Sequence, residues 1–140
     1  MKLISIVPLL IVLSTGAVAD TICYERIYDA AHMQKHKLQE VSKIRLKLDQ
    51  NGGEPSGVVE AGFREIPSYL SSQVTCAVKQ KTTSCRVDQN GGSFDIVATA
   101  RGIKLTNTSQ MRFGGLDDGA VIGREIEHRV FALIKVACSD

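Results

Sequence analysis

The chain has no tryptophan, and only four phenylalanines and three tyrosines among its 140 residues. A core built from this composition must rest on Val, Ile, Leu and Ala. Prolines number three, too few for a proline-rich linker. No Cys-x-x-Cys pair occurs, so the usual structural zinc spacing is missing. Gly-x-Ser-x-Gly, a phosphate-binding glycine loop and His-Glu-x-x-His are missing too. The expectation is a protein that is not an enzyme and uses no cofactor. The formal net charge is only +2, without the basic footprint of a nucleic-acid binder, so nucleic acid is not an expected partner. No apolar run beyond residue 20 is long enough for a transmembrane helix.

What is present begins with an export signal. Met1-Lys2 gives a short positive start, residues 3–13 are mostly apolar, and Ala17-Val18-Ala19 is a small-x-small cleavage site. Ile22, before the first cysteine, is not the small residue that lipid attachment to Cys23 requires. The expected organisation is a signal peptide over 1–19 and a single β-rich domain over 20–140, exported to the periplasm or secreted.

All four cysteines fall in that domain: Cys23, Cys76, Cys85 and Cys138. An even count in an exported chain argues for two disulfides, with three pairings open. Cys76 and Cys85 flank a polar turn over 79–84 and can face each other across a hairpin. That favours this pair and leaves Cys23 with Cys138, tying the two ends together.

Apolar spacing sorts the rest. Tyr24, Ile27, Tyr28 and Ala31 mark one face of a short N-terminal helix over 24–33. Period-two alternation follows. Ile44, Leu46 and Leu48 alternate with Lys43, Arg45 and Lys47, the mark of a half-buried strand. Further strands are expected over 58–66 with Val59, Ala61 and Phe63 on one face, over 70–79 with Leu70, Val74, Cys76 and Val78 on one face, from Cys85 and Val87, from Phe94, Ile96, Ala98 and Ala100, and from Ile103 and Leu105. Met111 to Phe113 adds a short one. Residues 112–123, with four glycines, form the most loop-like stretch, and Glu125 and Glu127 fall on a strand edge. The final run over 129–138 is apolar on both faces and reads as a central buried strand. Short strands with Gly and Asn between them predict a mainly β fold, an antiparallel barrel or sandwich.

Asp-Gln-Asn-Gly-Gly occurs twice, at 49–53 and 88–92. As a calcium loop starting at Asp49, it places Gly53 where an oxygen ligand is needed and Glu54 where the glycine is required. The plainer reading is two hairpin turns with Asn51-Gly52 and Asn90-Gly91 at their tips, since Asn-Gly readily adopts the positive φ of tight turns.

The stretch "YDAAHMQKH" holds the candidate binding residues Tyr28, Asp29, His32 and His36. Histidines four apart on a helix suit metal ligation, but Lys35 and Lys37 flank His36 and no third strong ligand lies nearby, so no metal is assigned. Packing or capping at a helix end is the alternative for His32. Cys23, Tyr28-Asp29, Ala31-His32-Met33, His36, Gln39 and Val41 resemble the opening of an uncharacterised family of small exported bacterial proteins. In that family a cysteine is followed by Tyr-Asp, an Ala-His-hydrophobic step, a second His and a strand. The closing "EHRVFALIKVAC" is similar to the family's last strand and final cysteine. Members often carry Pro after the second His, where this chain has Lys37. The resemblance implies export and a shared fold but no activity.

The basic strand face Lys43, Arg45, Lys47 suits anionic envelope polymers or an acidic groove on an enzyme. A solvated strand face is the plainer account. The expected function is a non-enzymatic binding or structural module of the bacterial cell envelope, with an envelope protein or polymer as partner. One alternative is an inhibitor of a cell-wall hydrolase, by analogy with small disulfide-tied periplasmic barrels that inhibit lysozyme, although their Ser/Lys loop motif is absent. Another is a small-ligand carrier or metal-binding module.

Overall fold

The computed structural model describes residues 20–114, 119–123 and 125–139. The expected export signal over 1–19 lies outside the described residues. Eight strands form one closed antiparallel barrel in the order β1-β10-β7-β6-β5-β4-β3-β2. Their bounds are β1 (Asp20–Ile27), β2 (Val41–Gln50), β3 (Ser56–Phe63), β4 (Ile66–Lys79), β5 (Thr82–Val87), β6 (Ser93–Ala98), β7 (Gly102–Asn107) and β10 (Val130–Val136). A two-stranded sheet pairs β8 (Met111–Phe113) with β9 (Ala120–Ile122). Two short helices, α1 (Ala30–Lys35) and α2 (Ile126–Arg129), complete the described elements.

Alternation builds the core. Ile44, Leu46 and Leu48 of β2 are buried and meet Ala61, Val59 and Gly57 across the β2–β3 ladder. Val74, Cys76, Cys85, Val87, Phe94, Ile96, Ile103, Leu105, Phe131 and Leu133 continue the same inward face around the barrel. Residues directly opposite in an antiparallel pair share a face, so the register carries these buried residues from strand to strand around the inside. Met111, Phe113 and Ile122 of the small sheet join this cluster. Phe113 meets Phe63 edge-on at 5.6 Å between ring centres, so the β8–β9 hairpin seals the end of the barrel where β3 turns into β4.

Both disulfides match the favoured pairing, Cys76–Cys85 and Cys23–Cys138. Cys76 and Cys85 are register partners on β4 and β5. Cys23 and Cys138 join residues 115 apart in sequence. The β1–β10 ladder beside that second bridge spans only Cys23↔Val136, Tyr24↔Lys135 and Glu25↔Ile134, whereas β1 pairs with β2 along its whole length. The covalent link therefore sits at the barrel's shortest closing seam.

Several expectations need correction. Residues 24–27 are strand, not helix: Tyr24 faces Leu46 across the β1–β2 ladder, and helix begins only at Ala30. The last strand is not buried on both faces. Phe131 and Leu133 point inward, while Val130 and Ile134 are 45% and 47% exposed on the barrel's outer wall. A closed barrel has one inside, so an apolar outer face stays in contact with solvent. The stretch over 112–123 contains the end of β8 and all of β9. Glu125 is the N-cap position of α2 and Glu127 lies in its first turn. The doubled pentapeptide does join strands in both copies, but neither turn is a two-residue Asn-Gly tip. Gly52 alone has positive φ in the first, and Gln89, Asn90 and Gly92 have it in the second. Five residues separate the strands in each place, and longer loops distribute the left-handed positions differently.

Because the Cys23–Cys138 link closes the longest loop, its loss is expected to cost about 5 kcal/mol against about 2.5 kcal/mol for Cys76–Cys85 in the chain-entropy model. Urea unfolding of the Cys23→Ala/Cys138→Ala and Cys76→Ala/Cys85→Ala proteins measures both. Equal losses, or a larger loss at Cys76–Cys85, contradict the assignment of Cys23–Cys138 to the closing seam.

Candidate functional site

The segment from Tyr28 to His36 lies where β1 passes into β2 at one end of the barrel. Asp29 caps α1: its carboxylate accepts the His32 N–H at 2.7 Å, the usual N-cap arrangement. The helix end is held from outside. Arg64, in the β3–β4 turn, places Nη2 2.9 Å from the Met33 carbonyl oxygen, 3.2 Å from that of His36 and 3.0 Å from that of Gln39. A guanidinium suits this work because it offers five donors and no acceptor.

Tyr28, His32 and His36 form a column, with ring centres 4.7 Å and 4.2 Å apart. His32 and His36 are stacked at an interplanar angle of 22°. Stacked imidazoles send their in-plane lone pairs side by side, so the two rings do not converge on one ion. The His32 ring is also committed. Gln39 Nε2 donates to the Val41 carbonyl, which turns Gln39 Oε1 toward His32 Nε2 at 2.9 Å and makes that nitrogen the donor. His128 bonds elsewhere: its Nε2 accepts the Glu40 N–H, and its Nδ1 faces Glu125 at 3.7 Å. Among the described residues no group of three His, Cys, Asp or Glu side chains is arranged to hold a metal ion. The structure thus brings Tyr28, His32 and His36 together, with Asp29 beside them as a cap, and each has a partner within the fold.

Burial raises the Tyr24 and Tyr28 phenols above 10.0, and at Tyr28 the neighbouring Arg26 pulls partly the other way. Arg26 lies 5.1 Å over the Tyr28 ring.

The outer wall of β2, β3 and β4 is different. Lys43, Arg45 and Lys47 project outward, alternate to the buried Ile44, Leu46 and Leu48. With Val58 and Glu60 of β3, Tyr69 of β4 and Ser139 they line a groove of about 400 Å³. Its floor is shaped by backbone irregularity. The β2–β3 and β3–β4 registers both shift around Gly62, and such bulges re-aim side chains. Gly62 leaves room for Tyr69, since a Cβ there would lie 2.7 Å from Tyr69 Cε1. Tyr69 in turn holds Lys43, whose ammonium sits 4.6 Å from the ring centre and 3.8 Å from Glu25.

Arg45 is the unusual member. Among the described residues its buried Nε has no hydrogen-bond acceptor, and its Nη2 makes a 3.4 Å contact with the Ser139 carbonyl. A buried orphan donor costs about 1–3 kcal/mol. Glu25 and Glu60 are its register partners on either side, yet among the described residues neither forms an ion pair with it. A larger groove of about 510 Å³ lies beyond Tyr69, lined by Ser71, Gln73 and the second Asp-Gln-Asn-Gly-Gly turn. Tyr69 borders both. Sequence reasoning found the three cations but missed Tyr69 and Glu60. Their link to β2 depends on cross-strand register and bulges, which no local spacing displays.

No protein-family model, no curated protein and no solved structure matches this chain.

Two predictions test this description. Gly62→Ala is expected to displace Tyr69, release Lys43 and destabilise the fold by about 1–3 kcal/mol, the usual range for overpacking. An unchanged melting temperature together with an unchanged Tyr69 ring environment by NMR contradicts the role of Gly62. The second concerns pH. Folding favours the neutral phenols, so their contribution is complete below pH 10.0 and is lost as pH rises through the elevated folded-state values. The unfolding midpoint is expected to fall above that pH, and less steeply in Tyr24→Phe. Parallel pH profiles for the two proteins refute a partly buried Tyr24 phenol.

Proposed function

We propose that the protein is a non-enzymatic exported module that binds a component of the bacterial cell envelope through the outer groove of β2, β3 and β4. The observation that carries this reading is Arg45, a half-buried cation whose buried Nε has no acceptor, standing between Lys43 and Lys47 in an open groove. Buried polar groups are normally satisfied, so an orphan donor in a groove points to an acceptor supplied by a ligand. The export signal over 1–19, the two disulfides and the resemblance to small exported bacterial proteins support an envelope location.

The alternatives draw less support. A carrier needs an interior cavity, and here buried side chains from all around the barrel occupy the inside. A metal module needs converging ligands, and the His32 and His36 rings stack instead. An inhibitor of a cell-wall hydrolase would present a protruding element to the enzyme's cleft, whereas this basic face lines a groove.

Co-sedimentation with purified cell-wall sacculi tests the proposal. The protein is expected to pellet with sacculi at low salt and to be released as added salt screens the charges. Lys43→Gln/Lys47→Gln is expected to stay largely in the supernatant. Absence of wild-type protein from the pellet, or equal pelleting of the variant, defeats it.

A further inference from the structure

We infer that the groove recognises the charged end of a short peptide that carries both a free carboxylate and an amine, with the carboxylate on Arg45 and the amine on Glu60. The inference rests on the envelope-binding reading above and names the chemistry of its ligand.

Cations alone would suggest any polyanion. The groove is not uniformly positive, however. Lys43 is already engaged by Glu25 and the Tyr69 ring. What remains unpaired among the described residues is Arg45, with Lys47 beside it, on one side and the Glu60 carboxylate on the other. Arg45 Nε lacks an acceptor, and the Glu60 carboxylate has no hydrogen bond or ion pair among the described residues. The two stand directly opposite each other on β2 and β3. Opposite charges so placed on one sheet face ordinarily pair. Here they line the same groove unpaired, so the groove offers a free anion beside its free cations, Arg45 and Lys47.

A ligand that satisfies both must carry an anionic group for Arg45 and a cationic group for Glu60. A free carboxylate matches the planar fork of a guanidinium through Nε and Nη2, a charge-assisted pair with geometric specificity. It would displace the long Nη2 contact to Ser139. An ammonium answers Glu60. Tyr69 and Val58 offer apolar wall for small side chains between them. The space, about 400 Å³, lies within the range of small-molecule sites and accommodates a few residues. A neutral glycan supplies neither charge, and a polyphosphate supplies no amine. The stem peptides of bacterial cell wall carry both groups, which unites this chemistry with the proposed location.

The probe is the tripeptide Lys-D-Ala-D-Ala, titrated into the isotope-labelled protein and followed by amide chemical shifts. Its C-terminal amide and its fully N-acetylated form are the controls. The free tripeptide is expected to shift amides of β2, β3 and β4 around Arg45, Glu60 and Tyr69. The C-terminal amide is expected to bind about tenfold more weakly, and Arg45→Lys, which keeps charge but loses the fork, to lose about the same factor. Glu60→Gln is expected to weaken the free tripeptide but leave the acetylated form unaffected. Because Glu60 lies on the outer wall, that variant keeps the test valid if changes at Arg45 disturb folding. Equal affinity for the free acid and its amide overturns the inference. So does an absence of shifts at millimolar tripeptide while binding to sacculi persists, which would assign the groove to another anionic wall component and leave the envelope reading standing. Loss of both tripeptide and sacculus binding defeats the two together.

Discussion

The whole structure depends on the meeting of its first and last strands. β1 hydrogen-bonds to β2 on one side and to β10 on the other, and this pairing turns an open meander into a barrel. Closure removes the exposed edges that would template aggregation. It also fixes an inside for every strand, since side chains alternate across a closed wall. The seam is short, and the Cys23–Cys138 bridge stands beside it. With closure enforced, the apolar sets of β2 to β7 and β10 have one place to go, and the outward set of each strand is left for other work.

That outward set differs from strand to strand. On β10 it is apolar, with Val130 and Ile134 half-exposed. On β2 it is cationic, and the bulges near Gly62 bend β3 and β4 so that Tyr69 folds over the sheet toward Lys43. A flat sheet face would leave Lys43, Arg45 and Lys47 as solvated side chains. The bend makes them the wall of a groove, and partial burial gives their charges a weight they would lack in open water. Arg45 is where this matters most, because its Nε has been taken from solvent and given nothing in return.

The end of the barrel near α1 shows the opposite economy. Asp29, Gln39, Arg64 and His128 are all used to satisfy backbone groups or one another. Histidines four apart drew attention in the sequence as a ligand spacing. In the fold the same spacing stacks two rings and aligns them with Tyr28. Helical spacing reports which residues share a face, and only the contacts around that face decide whether they bind a ligand or support the chain. Tyr24 and Ile27 show a related limit. Their spacing suits either a helix or a strand in so short a run, and pairing with Leu46 and Lys43 on β2 settled it. The apolar run over 129–138 misled for another reason: two apolar faces look like burial, but a barrel wall buries only one.

The sequence by itself determined the β class, the inward set of β2 and the favoured cysteine pairing, because alternation, turn residues and cysteine position are local quantities. It also marked Lys43, Arg45 and Lys47 as one outward row. Tertiary structure alone decided that the sheet closes as a barrel rather than splitting into a sandwich, that Arg64 clamps α1, and that Tyr69 and Glu60 join the basic row in a groove. Those outcomes depend on register between strands that are distant in sequence, and register is set by the packing of the whole wall, which no single stretch of chain contains.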